Sequence, residues 1–188
     1  MKRLLIYLIL LIPLVVLSLQ VLIFENVVEP IKYIYTVTGV TATVILFFSI
    51  TISLMSKKIN LVKYRRLIGL FGFFYAFLHL LNFVIFDADF DIGFIIEETL
   101  DKPFIYLGMI AFFILLFMSF TSTKSLFKKY KKQHQFIYLA LILITIHFIM
   151  AQKSITILQL GYIAMIFILA YCKLLQKIME INKSKYID

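Results

Sequence analysis

The sequence contains few of the residues that interrupt or cross-link a chain: one cysteine, three prolines, six glycines and no tryptophan in 188 residues. The single cysteine, Cys172, excludes an intramolecular disulfide, a CxxC redox pair and a thiolate metal cluster, and with them the disulfide-exchange membrane enzymes. So few glycines and prolines leave little material for linkers or disordered arms, and no internal repeat is evident. Residues 1–188 are therefore predicted to form a single domain.

Apolar side chains dominate the composition, at 63% of the chain against 15% charged and a mean hydropathy of +1.01. Soluble domains are only about 45–50% apolar, so an all-α integral membrane protein is predicted. A membrane span needs about 20 mostly apolar residues. Six segments qualify: Leu4 to Phe24, Tyr33 to Met55, Leu67 to Phe86, Pro103 to Phe120, Phe136 to Ala151 and Ile157 to Tyr171. The first follows a basic start, as in a signal peptide, but lacks a small-residue cleavage site and is predicted to be a retained helix.

Basic residues are distributed unevenly between the two sides of this predicted six-helix bundle. Sixteen of the 19 lie at the N-terminus, in segments 56–66 and 121–135, and in the tail after residue 172. The other side carries eight of the ten carboxylates, namely Glu25, Glu29, Asp87, Asp89, Asp91, Glu97, Glu98 and Asp101. Because cytoplasmic loops collect Lys and Arg, both termini of this multi-pass protein are predicted to be cytoplasmic and its outer face to be acidic.

The net charge of +9 is explained by this topology and by attraction to anionic lipid head groups. The lipid bilayer is therefore the expected partner of the basic side, and no nucleic-acid partner is implied. The acidic segment 87–101 has two interpretations, a solvated loop or a docking surface for a soluble partner in the outer compartment.

Two histidines are predicted to lie at the same depth in the membrane. His79 is twelve residues along the third span and His147 eleven residues along the fifth, and both spans run outward. At a rise of about 1.5 Å per residue the two imidazoles come level. Imidazoles on two facing helices can bind a haem iron between them, although a buried histidine can also simply hydrogen-bond to a neighbouring carbonyl or hydroxyl.

The third histidine and two arginines form a candidate site at the cytoplasmic end. His134 precedes His147 by thirteen residues, about 140° around an ideal helix, so the two do not face one neighbour unless the helix bends or unwinds. Arg65 is fourteen residues before His79 and about 40° from it, on the same face. Arg65, Arg66 and His134 could bind an anionic group such as a haem propionate, a flavin phosphate or a quinone head. The alternative is that the arginines only reach the lipid head groups.

Three further residues of the third span have two interpretations each. Gly69 and Gly72 would admit either a neighbouring helix or a flat cofactor at close range. Asn82, one turn beyond His79, could orient a cofactor or bond to a neighbouring helix.

A family resemblance rests on a set of short motifs with specific spacing. The motifs are Arg65-Arg66-Leu-Ile-Gly-Leu, Leu78-His79-Leu80, Lys102-Pro103-Phe104, Phe120-Thr121-Ser122-Thr123, His134-Gln135-Phe136-Ile137-Tyr138-Leu139 and Ile146-His147. Between about Val62 and Lys153 the chain resembles the haem-binding membrane subunit of the bacterial periplasmic methionine sulfoxide reductase system. That subunit belongs to the ferric-reductase-like transmembrane group. The first two spans and the tail resemble the family only in their general composition and not in specific motifs.

The resemblance implies an electron conduit. Such subunits carry haem b, are associated with FMN, and pass electrons from a cytoplasmic flavin reductase or from quinol to a periplasmic molybdenum-cofactor reductase that repairs methionine sulfoxide in envelope proteins. By position, His79 and His147 look like the haem ligands, and His134, Arg65 and Arg66 match a histidine and a double arginine of the family. The chain is then an electron-transfer subunit of an oxidoreductase, without substrate chemistry of its own.

The sequence differs from the larger ferric reductases in two ways that change the expected number of haems and domains. Those proteins place two histidines on each of two helices, whereas the third span here has His79 alone, so one complete bis-histidine haem is predicted, or two if His134 is also a ligand. The chain ends sixteen residues after Cys172, which predicts no C-terminal flavin and nicotinamide domain and an electron donor that is a separate protein or quinol.

Two other classes of function remain open at this point. In a small-molecule transporter or ion carrier the histidines would relay protons, although no inverted repeat or paired broken helices are evident. A cofactor-free scaffold would anchor a partner in the outer compartment. Purified protein should be red with a Soret band if it conducts electrons through haem, and colourless in both other cases.

Overall fold

The computed structural model describes residues 2–25, 27–54 and 62–151, and scattered positions between 160 and 175. In this part of the chain all regular structure is helical, and five helices are long and apolar enough to cross a membrane: Arg3–Ile23, Pro30–Ile52, Arg65–Asp87, Pro103–Phe120 and Gln133–Met150. The prediction of an all-α, multi-pass membrane protein is thus confirmed. The predicted sixth span, 157–171, lies partly outside the described residues, so that span and the orientation of the termini stay predictions.

The helices follow the predicted spans closely. They are α1 (Lys2–Ser18, continued by a π-turn, Leu19–Ile23), α2 (Pro30–Leu54), α3 (Arg65–Asn82, continued by a π-turn, Phe83–Asp87), α4 (Ile92–Asp101), α5 (Pro103–Phe120), α6 (Lys124–Lys129) and α7 (Phe136–Met150). Short 3₁₀ turns, Val62–Tyr64 and Gln133–Gln135, precede α3 and α7. The second span starts three residues before the predicted position because Pro30, whose missing N–H costs nothing in a first turn, begins α2.

The acidic segment 87–101 contains a helix, α4, and is therefore not the solvated loop of the first interpretation, while the docking surface stays a prediction. Its N-cap is Asp91, whose side chain accepts a 3.2 Å hydrogen bond from the Phe94 N–H. The side chains of Ile92, Ile96 and Leu100 are exposed and recur every four residues, which gives α4 one apolar face. The acidic residues of this segment are therefore presented on a short amphipathic helix between α3 and α5.

The bundle is organised around two helix pairs, α2 with α3 and α5 with α7. One core cluster joins the pairs: Leu46, Phe47 and Ile50 from α2 pack with Leu115 from α5 and with Ile137, Ala140 and Leu141 from α7. A second cluster, between α2 and α3, is centred on the fully buried Tyr75 and is covered by Ile6, Leu10 and Leu14 of α1. Only 6% of the α1 span is buried, so most of its surface is available to lipid.

The first helix is joined to the third by a side chain that reaches its backbone. The Tyr75 hydroxyl donates a 2.7 Å hydrogen bond to the Leu10 carbonyl and accepts one of 3.2 Å from the Leu14 N–H. These two backbone groups pair with each other in an unperturbed α-helix. Pro13 lies between them and has no N–H of its own, which weakens the same turn. A polar contact of this kind ties α1 to α3 inside the apolar region.

The two ends of the bundle differ in charge. At one end, where α1 and α3 finish and α2 and α5 begin, lie the carboxylates of Glu25, Glu29, Asp87, Asp89, Asp91, Glu97, Glu98 and Asp101. We call this end the acidic face. At the opposite end, where α3 begins and α6 lies, are Lys63, Arg65, Arg66, Lys124, Lys128, Lys129, Lys131 and Lys132. We call this end the basic face.

Candidate functional site: a histidine pair between two helix pairs

The structure brings His79 of α3 and His147 of α7 into contact. Their ring centroids are 6.1 Å apart and their planes cross at 88°. Each histidine comes from a different helix pair, so the contact lies where the α2–α3 and α5–α7 pairs meet.

His79 is held by the backbone and a hydroxyl of α2. Its Nδ1 lies 3.2 Å from the Tyr35 carbonyl oxygen and 3.3 Å from the Thr38 hydroxyl. The buried Thr38 hydroxyl donates its own hydrogen to the Ile34 carbonyl at 2.6 Å, so toward His79 it is an acceptor. Since a carbonyl can only accept, Nδ1 carries the proton and Nε2 of the neutral ring carries the lone pair.

His147 is held in the same way by α5. Its Nδ1 donates to the Phe104 carbonyl at 2.6 Å, and the Phe104 ring lies beside it with centroids 6.0 Å apart. This again leaves the Nε2 lone pair free. A second ring nitrogen that donates to a backbone carbonyl is the usual arrangement for a metal-binding histidine, because it fixes the tautomer and the direction of the ring.

Each imidazole packs closely against a glycine of the neighbouring helix. A Cβ built on Gly39 would lie 2.9 Å from Cε1 of His79, and one built on Gly108 would lie 2.8 Å from Nδ1 of His147. Glycine inside a helix costs about 0.5–1 kcal/mol relative to alanine, so both positions give up helix stability for close contact with a histidine. Our sequence analysis missed both glycines; the available signal was a mid-span glycine four residues after an aromatic residue, Tyr35 or Phe104.

The two glycines that the sequence analysis singled out serve helix packing. A Cβ on Gly72 would lie 2.8 Å from the side chain of Leu46, and one on Gly69 would lie 3.6 Å from the Ser49 hydroxyl, so both face α2. Asn82 likewise reaches the neighbouring helix, since its amide donates to the Ile31 carbonyl at 3.4 Å. Its buried Oδ1 has no hydrogen-bond partner in the described part of the chain.

The dimensions of the histidine pair fit a haem iron. With metal–imidazole bonds of about 2 Å and each ring centroid about 1.1 Å behind its nitrogen, two axial rings have centroids about 6.3 Å apart; the observed value is 6.1 Å. Over the residues that the structure describes, no group of three or more His, Cys, Asp or Glu side chains is placed to hold a metal ion by itself. Two imidazoles alone suit a metal whose remaining ligands come from a macrocycle.

His134 lies apart from the pair, at the basic face. It sits in the short 3₁₀ turn before α7, which is wound more tightly than the α-helix that follows, and its Nε2 is 3.0 Å from the Thr121 hydroxyl. Thr121 donates to the Phe117 carbonyl at 2.8 Å and therefore accepts from Nε2, while the Phe127 ring packs edge-on at 4.7 Å. His134 thus faces α5 and α6, and its Nδ1 carries the lone pair.

The two predicted arginines differ in their surroundings. Arg65 is partly buried and lies within electrostatic range of His134, whereas Arg66 is exposed. Nearby in the chain, the buried Oε1 of Gln133 has no hydrogen-bond partner among the described residues. Of the two arginines, Arg65 is therefore the one whose charge acts on His134.

On the acidic face, an open cavity of about 480 Å³ is bordered by Tyr35, the residue whose carbonyl binds His79. It is lined by Glu29, Pro30, Ile31, Lys32, Tyr35 and Asp87. The Tyr35 hydroxyl donates to the Asp87 carboxylate at 2.6 Å, and Lys32 pairs with Glu29 at 2.8 Å. The hydrogen bond and charge of Lys32 lower the pKa of the Glu29 carboxyl from its usual value. Lys102 is likewise paired, with Glu98, so both lysines described at this end already have a carboxylate partner.

Comparison with known proteins gives a consistent picture. The family model described as a ferric reductase like transmembrane component matches residues 55–145. The chain is 33% identical over 133 residues to the protein-methionine-sulfoxide reductase heme-binding subunit MsrQ of Agrobacterium fabrum, which covers 68% of this chain and 62% of that protein. It is 42% identical over 97 residues to the magnetosome protein MamZ of Magnetospirillum gryphiswaldense, and 40% identical over 97 residues to MamZ of Paramagnetospirillum magneticum.

The relatives are longer than the matched region. Each MamZ match covers 49% of this chain but only 15% of the relative. No solved structure matches the chain.

Proposed function

This chain is a ferric-reductase-like transmembrane protein of the MsrQ type, and we propose that it is a haem b-binding subunit that carries electrons across the bacterial inner membrane. His79 and His147 are the proposed axial ligands of one haem. The observation that carries the proposal is the contact of two imidazoles, at 6.1 Å between centroids, whose Nδ1 atoms are both occupied by backbone carbonyls.

The residues around the pair hold two neutral imidazoles in one tautomer. The Tyr35 and Phe104 carbonyls accept the Nδ1 protons, which leaves each Nε2 available to iron and makes both rings better electron donors. When bound, the haem supplies one-electron redox chemistry, and the protein sets its orientation, ligation and dielectric surroundings. The surrounding phenylalanines, including Phe73, Phe77 and Phe112, stack between α3 and α5 and keep the region apolar.

Electrons enter at the basic face, from a cytoplasmic flavin reductase or from membrane quinol. Arg65 and His134 provide a cation and an imidazole there, which suits a haem propionate, an FMN phosphate or a quinone head group. Arg66 is exposed and contributes positive charge at the surface. The positive charge of this face also fits the anionic inner leaflet.

Electrons leave at the acidic face, toward a soluble periplasmic methionine sulfoxide reductase that holds a molybdenum cofactor. The partner class comes from the relative named as the heme-binding subunit of a methionine-sulfoxide reductase. Both described lysines of this face are ion-paired, so the remaining carboxylates give it a net negative potential. Such a surface attracts a partner with basic residues around its electron entry point, in a salt-dependent way.

The test is an absorption spectrum of the detergent-purified chain, air-oxidised and then reduced with dithionite, with extracted haem measured against protein. Sharp reduced bands of bis-histidine haem b near one per chain support the proposal, and near two would bring His134 in as a ligand. A featureless spectrum after haem supplementation during expression would contradict it and favour a transporter or a scaffold.

The acceptor is tested separately, with reduced protein mixed with the periplasmic reductase or with a ferric chelate. Faster oxidation by the reductase, slowed several-fold by salt, supports the acidic-face assignment. Equal oxidation by a neutral ferric chelate at all salt concentrations would contradict the partner and leave haem binding intact.

A further inference from the structure

The two helix pairs present their histidines through the same local arrangement. In α2, the carbonyl of Tyr35 binds Nδ1 of His79 and Gly39 lies against the ring, four residues further on. Four residues are about one helical turn, so the carbonyl residue and the glycine stand on one face of α2. The histidine follows its carbonyl partner by 44 residues along the chain.

In α5, the carbonyl of Phe104 binds Nδ1 of His147 and Gly108 lies against the ring, again four residues further on. Here the histidine follows its carbonyl partner by 43 residues. The likeness between the pairs was not evident in the sequence because only the glycine and the histidine are identical, while the residues between differ in type. In the first pair Thr38 adds a hydroxyl acceptor, and Leu107 stands at the corresponding place in the second.

We propose that Gly39 and Gly108 are positioning residues that set the rotation of the two imidazole planes and keep them crossed. The proposal rests on the proposed function, because it concerns how the same two histidines present themselves to iron. The carbonyl fixes the direction in which Nδ1 points, and the absence of a side chain on the glycine lets the ring lie close to the helix backbone in that direction. Together the two contacts leave the ring one orientation, and the two rings cross at 88°.

The clash distances show why the position needs glycine. At Gly39 a Cβ would be 2.9 Å from Cε1 and 3.0 Å from Nδ1 of His79, and at Gly108 it would be 2.8 Å from Nδ1 and 2.9 Å from Cε1 of His147. The rings cannot retreat without lengthening the Nδ1 hydrogen bonds of 3.2 and 2.6 Å. A methyl group therefore forces the ring to turn or its bond to the carbonyl to break.

Electron paramagnetic resonance of the ferric protein reads the ring rotation directly. Crossed axial imidazoles leave two iron d orbitals nearly equal in energy, which gives a highly anisotropic low-spin signal with a large gmax. Parallel imidazoles separate these orbitals and give a rhombic signal with a smaller gmax. The spectrum depends on geometry at the iron and not on turnover.

The experiment compares wild-type protein with Gly39→Ala, Gly108→Ala and the control Gly72→Ala. The control adds a methyl group at the same α2–α3 interface, 2.8 Å from Leu46 and away from the histidines. The expected result is a large gmax in the wild type and in Gly72→Ala. In Gly39→Ala and Gly108→Ala we expect a fall in gmax or a loss of the low-spin signal to a high-spin one.

Three results would overturn the inference while the haem proposal stands. They are a rhombic wild-type signal, a wild-type gmax in both histidine-side variants at full haem content, and an equal shift in Gly72→Ala and Gly39→Ala. A wild type with no haem in its absorption spectrum would instead remove the proposed function, and this inference with it.

A second pair of variants covers failure to fold. If Gly39→Ala does not accumulate in membranes, the single variant His79→Gly is compared with the double variant Gly39→Ala, His79→Gly, in which the ring that the methyl group meets is removed. Recovery of folded, monodisperse double variant to the level of His79→Gly would support the contact, and absence of the double variant alone would contradict it.

Discussion

The phenolic hydroxyl of Tyr35 donates a 2.6 Å hydrogen bond to the carboxylate of Asp87, which joins the start of α2 to the end of the α3 span. The same residue reaches His79 through its backbone carbonyl and through its ring, whose centroid lies 5.3 Å from the imidazole. One residue thus connects the histidine pair to the acidic face.

Replacing Tyr35 with Phe separates these contacts. The variant keeps the carbonyl and the ring but loses the hydroxyl, so haem content should stay at the wild-type level. The free energy of unfolding should fall by about 1 kcal/mol, the usual net value of a hydrogen bond at a partly exposed site. Haem extraction and thermal unfolding in detergent, followed by circular dichroism, measure both.

Tyr33→Phe is the matched control, because the hydrogen bonds described give the Tyr33 hydroxyl no partner. Loss of haem from Tyr35→Phe alone would mean that the hydroxyl, and not the carbonyl, positions His79.

Replacing either His79 or His147 with Ala should abolish the low-spin haem spectrum, because each removes one of two axial ligands. His134→Ala should keep it, since His134 faces Thr121 and Phe127 at the other end of the bundle. Reduced-minus-oxidised spectra of the three purified variants make the comparison. Unchanged haem content in His79→Ala would contradict the assignment of His79 as a haem ligand.

Arg65→Gln should slow reduction by a flavin reductase or quinol several-fold and leave reduction by dithionite unchanged, because the Arg65 charge lies within electrostatic range of His134 at the proposed electron entry. Stopped-flow absorbance at the Soret band follows both reactions. Arg66→Gln, which removes the same charge from an exposed neighbour, should have the smaller effect. Equal rates in wild type and Arg65→Gln would argue against the entry site.

Tyr75→Phe should lower the free energy of unfolding by about 1–3 kcal/mol, because it takes a buried hydroxyl from the Leu10 carbonyl and the Leu14 N–H. Since the chain has no tryptophan, loss of helical circular dichroism on heating is the suitable measurement. Tyr7→Phe is the control: its ring packs on Phe71, and its hydroxyl has no partner among the hydrogen bonds described. Equal stability of wild type and Tyr75→Phe would show that the two backbone groups rejoin each other without loss.

The sequence predicted the parts of the fold that depend on one helix at a time. Hydrophobic length identified the spans, and the constant rise of a helix brought His79 level with His147. The contacts of Gly39 and Gly108 depend on which helix is the neighbour and on how it is rotated, and neither follows from spacing within one span. For the same reason Gly72 was open to two interpretations until Leu46 was seen against it.

Two local features also escaped prediction. The 3₁₀ turn at His134 has no glycine or proline that would signal it, and α4 was not predicted because it is only 10 residues long and its acidic residues indicated an exposed loop. In both cases the competing signal was charge, which indicates exposure but not backbone conformation.

The bridge from Tyr75 to α1 has a consequence for biosynthesis. Tyr75 follows Leu14 by 61 residues, so when α1 leaves the ribosome and enters the bilayer its bridging partner has not yet been made. Until then the Leu10 carbonyl and the Leu14 N–H can bond only to each other, in a turn that Pro13 weakens. The surrounding hydrocarbon contains no water that could bond to either group. Insertion of α3 supplies the Tyr75 hydroxyl, which then binds the backbone of α1. The first helix therefore acquires its final backbone hydrogen bonds only after two later helices have been inserted.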